Sequence, residues 1–588
     1  MSPLQRAHRN ALEASNAARE LTFRAAIDRS MAEIAADPSA VAPYRRLARQ
    51  LRDTGQADEA LDVLRQGMRD AVVDAAFVRR VAVDLLDAGH GEEALAVLDA
   101  TAPRFPLDAE LVLLRRLAFP SVFRDAGEPA RWRERLSRGL ASLSLDDPEL
   151  AALPHAALID ATLRFNPYYV DYLGDVSRDL HDAWGDWLAR LLSASASTGA
   201  APMEGATPAP RAADSRIRIG IVGDTLRAHV VSELFVGWAT ALDRTRFDLR
   251  CYALHTEGDR MSQAFEAASS RFVQSPDTAV LRAAIVEDQP RVLLYLAVGM
   301  SSAVLELAAQ RLAPVQCAAW GHPRTTGLPT IDYFLGSDAM EPPGAAAHYR
   351  ERLVRLPGLG TTFRLPDALR PLHINRRADF GLCDDDVVLL CAQNVSKFLP
   401  SFDTVLIDIA RRLPASRFVF AVGHQRGGTV LRQRIARAFE HAGLDWSRHE
   451  IALPELTPLE FDNLVCVADA LLDPDGWSAG YTAVNAVAFG LPIVCRPGAV
   501  ARTRQSAAIL TLLGETRTIA ASASAYVEIV ERIAHDTAFV ASVRASLTAP
   551  ERRERLASDP RAQAALQAFL ESAVSRVTAD ADACAPAV

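Results

Sequence analysis

Apolar residues near the start of the chain recur at helical spacing: Leu61 with Leu64, then Leu95 with Leu98. The segments around them repeat. Asp53-Thr-Gly-Gln-Ala-Asp-Glu-Ala-Leu61 returns as Asp87-Ala-Gly-His-Gly-Glu-Glu-Ala-Leu95 after 34 residues. That is the period of helix–turn–helix units of tetratricopeptide type. Gly55 and Gly89 suit the tight turn between paired helices. Ala60 and Ala94 let two helices approach closely, and the leucines give each an apolar stripe. With Val41 to Leu51 and Leu107 to Leu117 as partners, residues 20–117 read as about three repeats, the fewest expected to stand as a stack.

The helical pattern continues through 118–192, where Phe165, Tyr168, Tyr169, Tyr172, Trp184 and Trp187 predict a seal between the stack and the C-terminal half of the chain. Residues 193–214, rich in Ser, Ala and Pro, read as a linker. From Arg216 the period changes. Short apolar runs at Ile217 to Val222, Phe247 to Leu254, Val292 to Leu296 and Val315 to Trp320 alternate with helical stretches. The pattern restarts with Val387 to Cys391, Phe418 to Val422, Ala470 to Asp473 and Ile493 to Cys495. Strand–helix alternation twice over predicts two doubly wound α/β lobes, 215–375 and 376–550, with a C-terminal helix and tail at 551–588. Such sheets bind ligands at the carboxyl ends of their strands, here across a cleft.

Composition narrows the function classes. The 588 residues are 49% hydrophobic and 23% charged, with a net charge of -9, which argues against a nucleic-acid-binding surface. No apolar run of about 18 residues predicts a membrane span, and Met1 to Arg29 lacks a secretion signal's apolar centre. The expectation is a cytoplasmic protein with no membrane partner. Seven scattered cysteines show no zinc-knuckle spacing and read as reduced thiols.

Several motifs are familiar as a set. Leu312-Ala-Pro-Val-Gln-Cys-Ala-Ala-Trp-Gly-His-Pro-Arg-Thr-Thr-Gly-Leu-Pro-Thr-Ile-Asp-Tyr333 resembles the signature of the bacterial SPINDLY-like, O-GlcNAc-transferase-like glycosyltransferases. In order around it stand Ile219-Gly-Ile-Val-Gly-Asp-Thr-Leu-Arg-Ala-His229, Cys391-Ala-Gln-Asn-Val-Ser-Lys-Phe-Leu-Pro400, Leu472-Asp-Pro-Asp-Gly-Trp-Ser-Ala-Gly-Tyr-Thr482 and Phe489-Gly-Leu-Pro-Ile-Val-Cys-Arg-Pro-Gly498. Phe165-Asn-Pro-Tyr-Tyr-Val-Asp-Tyr-Leu-Gly174 looks like the helical insert of bacterial members. The resemblance spans roughly residues 30 to 550. It implies a GT-B pair of Rossmann-like lobes behind the repeats, a nucleotide-sugar donor, inversion at the anomeric carbon, and Ser or Thr of a protein as acceptor, or Asn in one branch. It further implies N-acetylglucosamine from a UDP donor as the first candidate. Another nucleotide sugar, as in flagellin glycosylation, or a catalytically weak scaffold, are the alternatives.

Glycosyl transfer must neutralise a departing diphosphate, hold the sugar and position the acceptor hydroxyl. Lys397, in the loop after the Val387 strand, matches the family's diphosphate-binding lysine, and Asn394 matches a nucleotide contact. Ser478, Gly480, Tyr481 and Thr482 open a helix whose N–H groups suit a phosphate. His229 matches the family's active-site histidine, as base or as positioning group. His322, Thr325 and Thr326 are candidates for acceptor or sugar contacts. Arg504, with Gln505 beside it, is a candidate for a phosphate contact. No carboxylate or histidine cluster reads as a metal site, so neither metal nor cofactor is expected. The acceptor protein would lie on the repeats. Departures stand beside these matches. Asn485 occupies the place of a ribose-binding acid, Tyr481-Thr482 replaces two small polar residues, Phe461 replaces a histidine, and Ala297 an acidic residue.

Overall fold

The computed structural model describes residues 23–165, 167–174, 178–196, 215–256, 258–365, 376–420, 426–454 and 456–584. Most of the 193–214 linker, from 197 on, lies outside these residues, as does the end of the strand expected at Phe418 to Val422.

Helices α1 (Val41–Asp53), α2 (Ala57–Asp70), α3 (Ala75–Asp87), α4 (Gly91–Thr101) and α5 (Ala109–Leu117) form the stack. The helices α1, α3 and α5 begin 34 residues apart, and so do α2 and α4. Gly55 and Gly89 take φ of 80° and 81° at equivalent hairpin turns, a conformation costly for other residues. The interior is the predicted stripe: Ala60, Leu61, Leu64, Ala94 and Leu98 are all buried.

An extension follows, including α6 (Glu128–Ala141), α7 (His155–Arg164) and α8 (Arg178–Ala196). On α8, Trp184 and Trp187 are 1% and 0% exposed. Each removes about 150–250 Å² from water, or about 4–6 kcal/mol of gross transfer free energy at ~25 cal/mol per Å². Trp187 Nε1 donates to Thr162 Oγ1 at 3.2 Å, so the indole is also satisfied. Between the tryptophans, a Cβ at Gly185 would sit 2.0 Å from the Gly327 carbonyl oxygen. Only glycine lets α8 lie this close to the 321–328 turn of the first lobe.

The first lobe is a seven-stranded parallel sheet: β1 (Ile217–Gly223), β2 (Phe247–Ala253), β3 (Arg271–Gln274), β4 (Val292–Tyr295), β5 (Val315–Ala319), β6 (Tyr333–Ser337) and β7 (Arg352–Leu356), in spatial order β3-β2-β1-β4-β5-β6-β7. The second has β8 (Val387–Leu390), β9 (Ser416–Phe420), β10 (Glu450–Ala452), β11 (Ala470–Leu472) and β12 (Ile493–Val494), in order β10-β9-β8-β11-β12. Strands β3, β6, β7 and β10 add to those the sequence pattern predicts. Three of them border their sheets and carry charge: Arg271 opens β3, Arg352 and Arg355 punctuate β7, and Glu450 opens β10. A half-exposed border strand lacks the unbroken apolar run that marks a buried one. The β6 strand starts at Tyr333, inside the long motif, where the apolar run is broken by Gly336.

In both sheets the strand order reverses direction between the first strand and the fourth, the switch point where open α/β sheets bind ligands. The two switch points lie between β1 and β4 and between β8 and β11. A helix from Pro560 to Cys584 returns to the first lobe: Phe569 packs edge-on against Tyr333 at 5.1 Å, and Gln567 Oε1 accepts from the Asp243 amide at 2.9 Å. The repeats dock on the second lobe. Arg426 pairs with Asp84 and Asp87 of α3, and Arg434 donates to the Phe123 carbonyl at 2.9 Å.

Candidate active site

The loop after β8 carries Lys397, and the loop after β11 leads to the helix α9 (Tyr481–Phe489). They meet at the second lobe's switch point. Lys397 Nζ donates to Gln393 Oε1 at 2.8 Å and to the Ser478 carbonyl at 3.2 Å. Its ammonium is therefore held against the loop that opens α9, with neutral oxygens as its hydrogen-bond partners. Burial pushes its pKa down to about 8, and the charge of Asp473 opposes that fall. Burial raises Asp473 in turn.

Asp473 shapes the loop. Its Oδ2 accepts from Ser478 Oγ at 2.6 Å, and Ser478 Oγ accepts from the Ser506 amide at 2.8 Å. Ser478 is thus fully engaged within the protein: it folds the phosphate loop, and its hydroxyl is not presented to a donor. Gly480 takes φ of 56° at the head of α9, and a Cβ there would meet Gln505 Oε1 at 2.7 Å. The left-handed φ is what favours glycine here, since the Gln505 side chain can turn aside. The helix head then offers the amides of Gly480 and Tyr481 to an anion. Of the pair after the second lobe's last strand, Gln505 is the one that reaches this helix head, whereas Arg504 donates to the Gly498 carbonyl at 3.0 Å. Thr482 and Asn485 are half-buried on the first turns of α9. Asn394 is exposed, and its side chain caps the turn holding Lys397 by accepting from the Ser396 amide at 3.0 Å.

The first lobe contributes His229, the N-cap of the helix Val230–Thr240 that follows β1. Its Nδ1 accepts from the Val231 amide at 3.2 Å, so the ring proton sits on Nε2. Burial lowers its pKa and keeps it neutral. In this tautomer His229 is a hydrogen-bond donor. Burial raises the Tyr481 phenol, and the charge of Glu233, one turn after His229, raises it further.

His322 is buried after β5, donating from Nδ1 to the Val298 carbonyl at 3.0 Å and stacked on Trp477 at 5.3 Å and 19°. Burial holds its pKa near 3, so it is neutral at working pH. Thr325 and Thr326 require correction as contacts to sugar or peptide. Both are buried, both hydroxyls donate to the Glu351 carboxylate (Thr325 at 2.7 Å), and the Thr326 amide adds a bond at 2.7 Å. They pin a buried acid within the first lobe.

Beneath Trp477 three parts of the chain meet. Asp171, from the extension, is 2% exposed. Its Oδ2 lies 3.2 Å from His181 Nε2 and 3.2 Å from Arg324 Nε of the first lobe; its Oδ1 lies 3.4 Å from Arg502 of the second. Burial pushes the carboxyl up, but Arg502, His181 and Arg324 outweigh it and hold it well below the usual range. Arg324 also donates to His181 Nδ1 at 2.8 Å, so His181 is the neutral Nε2–H tautomer.

The charge on Lys397 sets a pH dependence. The ammonium is present below about 8 and lost above it. We expect kcat/KM for the donor to fall as pH rises through that value. The limb in kcat should lie higher, because a bound diphosphate favours the protonated amine. A pH–rate profile flat to about pH 10 would rule the ammonium out of donor binding.

Comparison with known proteins fits this geometry. Residues 204–367 match the family model for glycosyl transferase family 41. The probable UDP-N-acetylglucosamine–peptide N-acetylglucosaminyltransferase SPINDLY of Petunia hybrida is 25% identical over 360 residues, 59% of this chain and 37% of that protein. The SEC protein of Arabidopsis thaliana, named for the same probable activity, is 27% identical over 208 residues, 34% of this chain and 21% of that protein. The chain spans about two-fifths or less of the length of these curated relatives. Among solved structures, a mutant of the Thermobaculum terrenum O-GlcNAc transferase superposes with a TM-score of 0.66 at 21% identity, covering 99% of this chain and 100% of that one, which shows the shared GT-B architecture. With the motifs seated at both switch points, the chain is similar to the O-GlcNAc-transferase- and SPINDLY-like glycosyltransferases, and its residues 204–367 carry the family 41 match.

Proposed function

We propose that this protein transfers a sugar from a nucleotide donor to a side-chain hydroxyl of an acceptor protein, with inversion and without a metal. The observation that carries the reading is the Lys397 ammonium, fixed at a switch point against the loop that opens α9. An acceptor hydroxyl oxygen attacks the anomeric carbon, the bond to the diphosphate breaks, the hydroxyl's proton passes to water, and the leaving group's growing charge falls between that ammonium and the amides of Gly480 and Tyr481. His229, protonated at Nε2, holds the acceptor or a donor oxygen in place and is not the base in this tautomer. UDP-N-acetylglucosamine is the first donor to test, with Ser or Thr as acceptor. Asn485 and Phe461 favour a second candidate, a different nucleotide sugar, since the ribose would meet an amide where an acid is usual.

A thermal-shift panel of UDP-, GDP- and CMP-sugars checks this. A true donor at about 100 times its Kd stabilises the protein by about 2.7 kcal/mol. We expect one nucleotide class to raise the melting temperature. A panel with no response favours the scaffold alternative.

A further inference from the structure

Where the repeats meet the catalytic half lies a groove of about 530 Å³. Its walls come from four parts of the chain. Val83 of α3 and Leu114 of α5 belong to the repeats, Phe119 and Phe165 to the extension, Met300 to the loop after β4, and Asn394 to the loop that holds Lys397. All but Asn394 are apolar and only half-buried. The phenyl rings of Phe119 and Phe165 meet edge-to-face at 6.4 Å.

The charged residues on the rim are already paired within the protein. Glu110 lies 3.3 Å from Arg79, Arg164 lies 3.0 Å from Asp160, and Asp87 pairs with Arg426. They set no demand for a charged occupant. The volume falls in the range of about 300–1,000 Å³ of ligand sites, ample for a large side chain and the backbone flanking it.

Packed rings, all but Tyr169 buried, also link the groove's wall to the loop that opens α9. Tyr169, on its wall, packs on Tyr172 at 6.0 Å; Tyr172 packs on Trp477 at 5.5 Å; Trp477, in the phosphate loop, stacks on His322. One aromatic file thus runs from the groove to the loop that opens α9. The groove's far end, Asn394, caps the Lys397 turn.

We infer that this groove anchors a bulky apolar side chain of the acceptor polypeptide, a few residues from the hydroxyl that receives the sugar. The inference rests on the proposed transfer to a protein acceptor. Helical repeats present extended concave surfaces to peptides, and an extended chain advances about 3.3–3.6 Å per residue. A side chain seated between Val83 and Phe119 leaves its neighbours within a few residues of the Lys397 turn, whose cap Asn394 lines the same groove. The groove selects acceptors by that one side chain, while the sugar site stays indifferent to it.

The test selects a phage-displayed random peptide library, each peptide about 12 residues long and so able to span about 40 Å when extended, against the full-length protein, its Val83→Arg variant and its Phe119→Ala variant. Nucleotide binding is followed by thermal shift with UDP, GDP and CMP. We expect peptides enriched for Phe, Leu, Met or Trp at one position, with binding at least tenfold weaker to both variants. Nucleotide shifts should be unchanged, which also shows that the variants fold. Selected peptides without an apolar preference, or peptides that bind both variants as tightly as the unaltered protein, overturn the inference. If the enrichment appears and no nucleotide binds, the groove stands and the transferase reading falls.

Discussion

Changing Lys397 to Ala lowers sugar transfer by about 10²–10³-fold or more and weakens nucleotide diphosphate binding alongside. The physical ground is the placement of one charge. A diphosphate leaving group gains charge as the glycosidic bond breaks, and a fixed donor aimed at such charge is worth about 2.7–4 kcal/mol. Lys397 is half-buried, so its field is only partly screened by solvent. Its hydrogen-bond partners, the Gln393 amide oxygen and the Ser478 carbonyl, are neutral, and Asp473 is engaged by Ser478. Lys397→Arg should not restore activity. A planar guanidinium cannot occupy the space of a compact ammonium bonded at 2.8 and 3.2 Å. Stability is the control: Ala removes a charge whose burial already lowers its pKa, so the melting temperature should hold or rise. Steady-state kinetics with the donor found in the panel, beside nucleotide titrations, check the result. Transfer at the wild-type rate in Lys397→Ala would refute the role.

The place of Lys397 at a strand's end was legible because that signal is local, whereas its role came from the family resemblance. A lysine a few residues past a short apolar run, before a Pro-led helix, lies at a strand's carboxyl end whatever else the chain does. The repeat was legible for the same reason, its period being written in neighbouring residues. Thr325 and Thr326 misled because their partner, Glu351, is distant in sequence, and a small hydroxyl in a family motif does not reveal which way it faces. Ser478 sits at the expected place, yet its hydroxyl folds the loop instead of meeting a donor. The charges that hold the lobes and the extension together were not legible. Asp171 and Arg502 are far apart in the chain, and no spacing rule links one aspartate to two arginines through three domains. Asp171 lies inside a segment whose Tyr and Trp neighbours pointed to packing, so its charge drew no notice.

That aspartate carries the second large effect. Asp171→Asn keeps the shape and removes the charge shared by Arg324 and Arg502. Taking one partner from a buried ion pair costs about 3–5 kcal/mol, since the remaining charge stays desolvated. Arg324 and Arg502 are 5% and 4% exposed, so water cannot replace the carboxylate without opening the junction. That junction joins the extension to both lobes and lies directly under Trp477, over which Arg502 sits at 5.9 Å from the ring centroid. Loosening it should lower the melting temperature by several degrees and reduce transfer as well, because the phosphate loop loses its floor. The pH dependence separates this charge effect from a packing defect. The carboxyl's folded pKa is depressed from an unfolded value of about 3.9, so its contribution is fully present above that value and fades as pH falls toward the folded one. The stability gap between wild type and Asp171→Asn should be complete at about pH 7 and narrow below about pH 4. Unfolding curves across that range measure it. A gap of constant size down to about pH 3 would mean that the residue acts by shape, and that the two arginines do not depend on its charge.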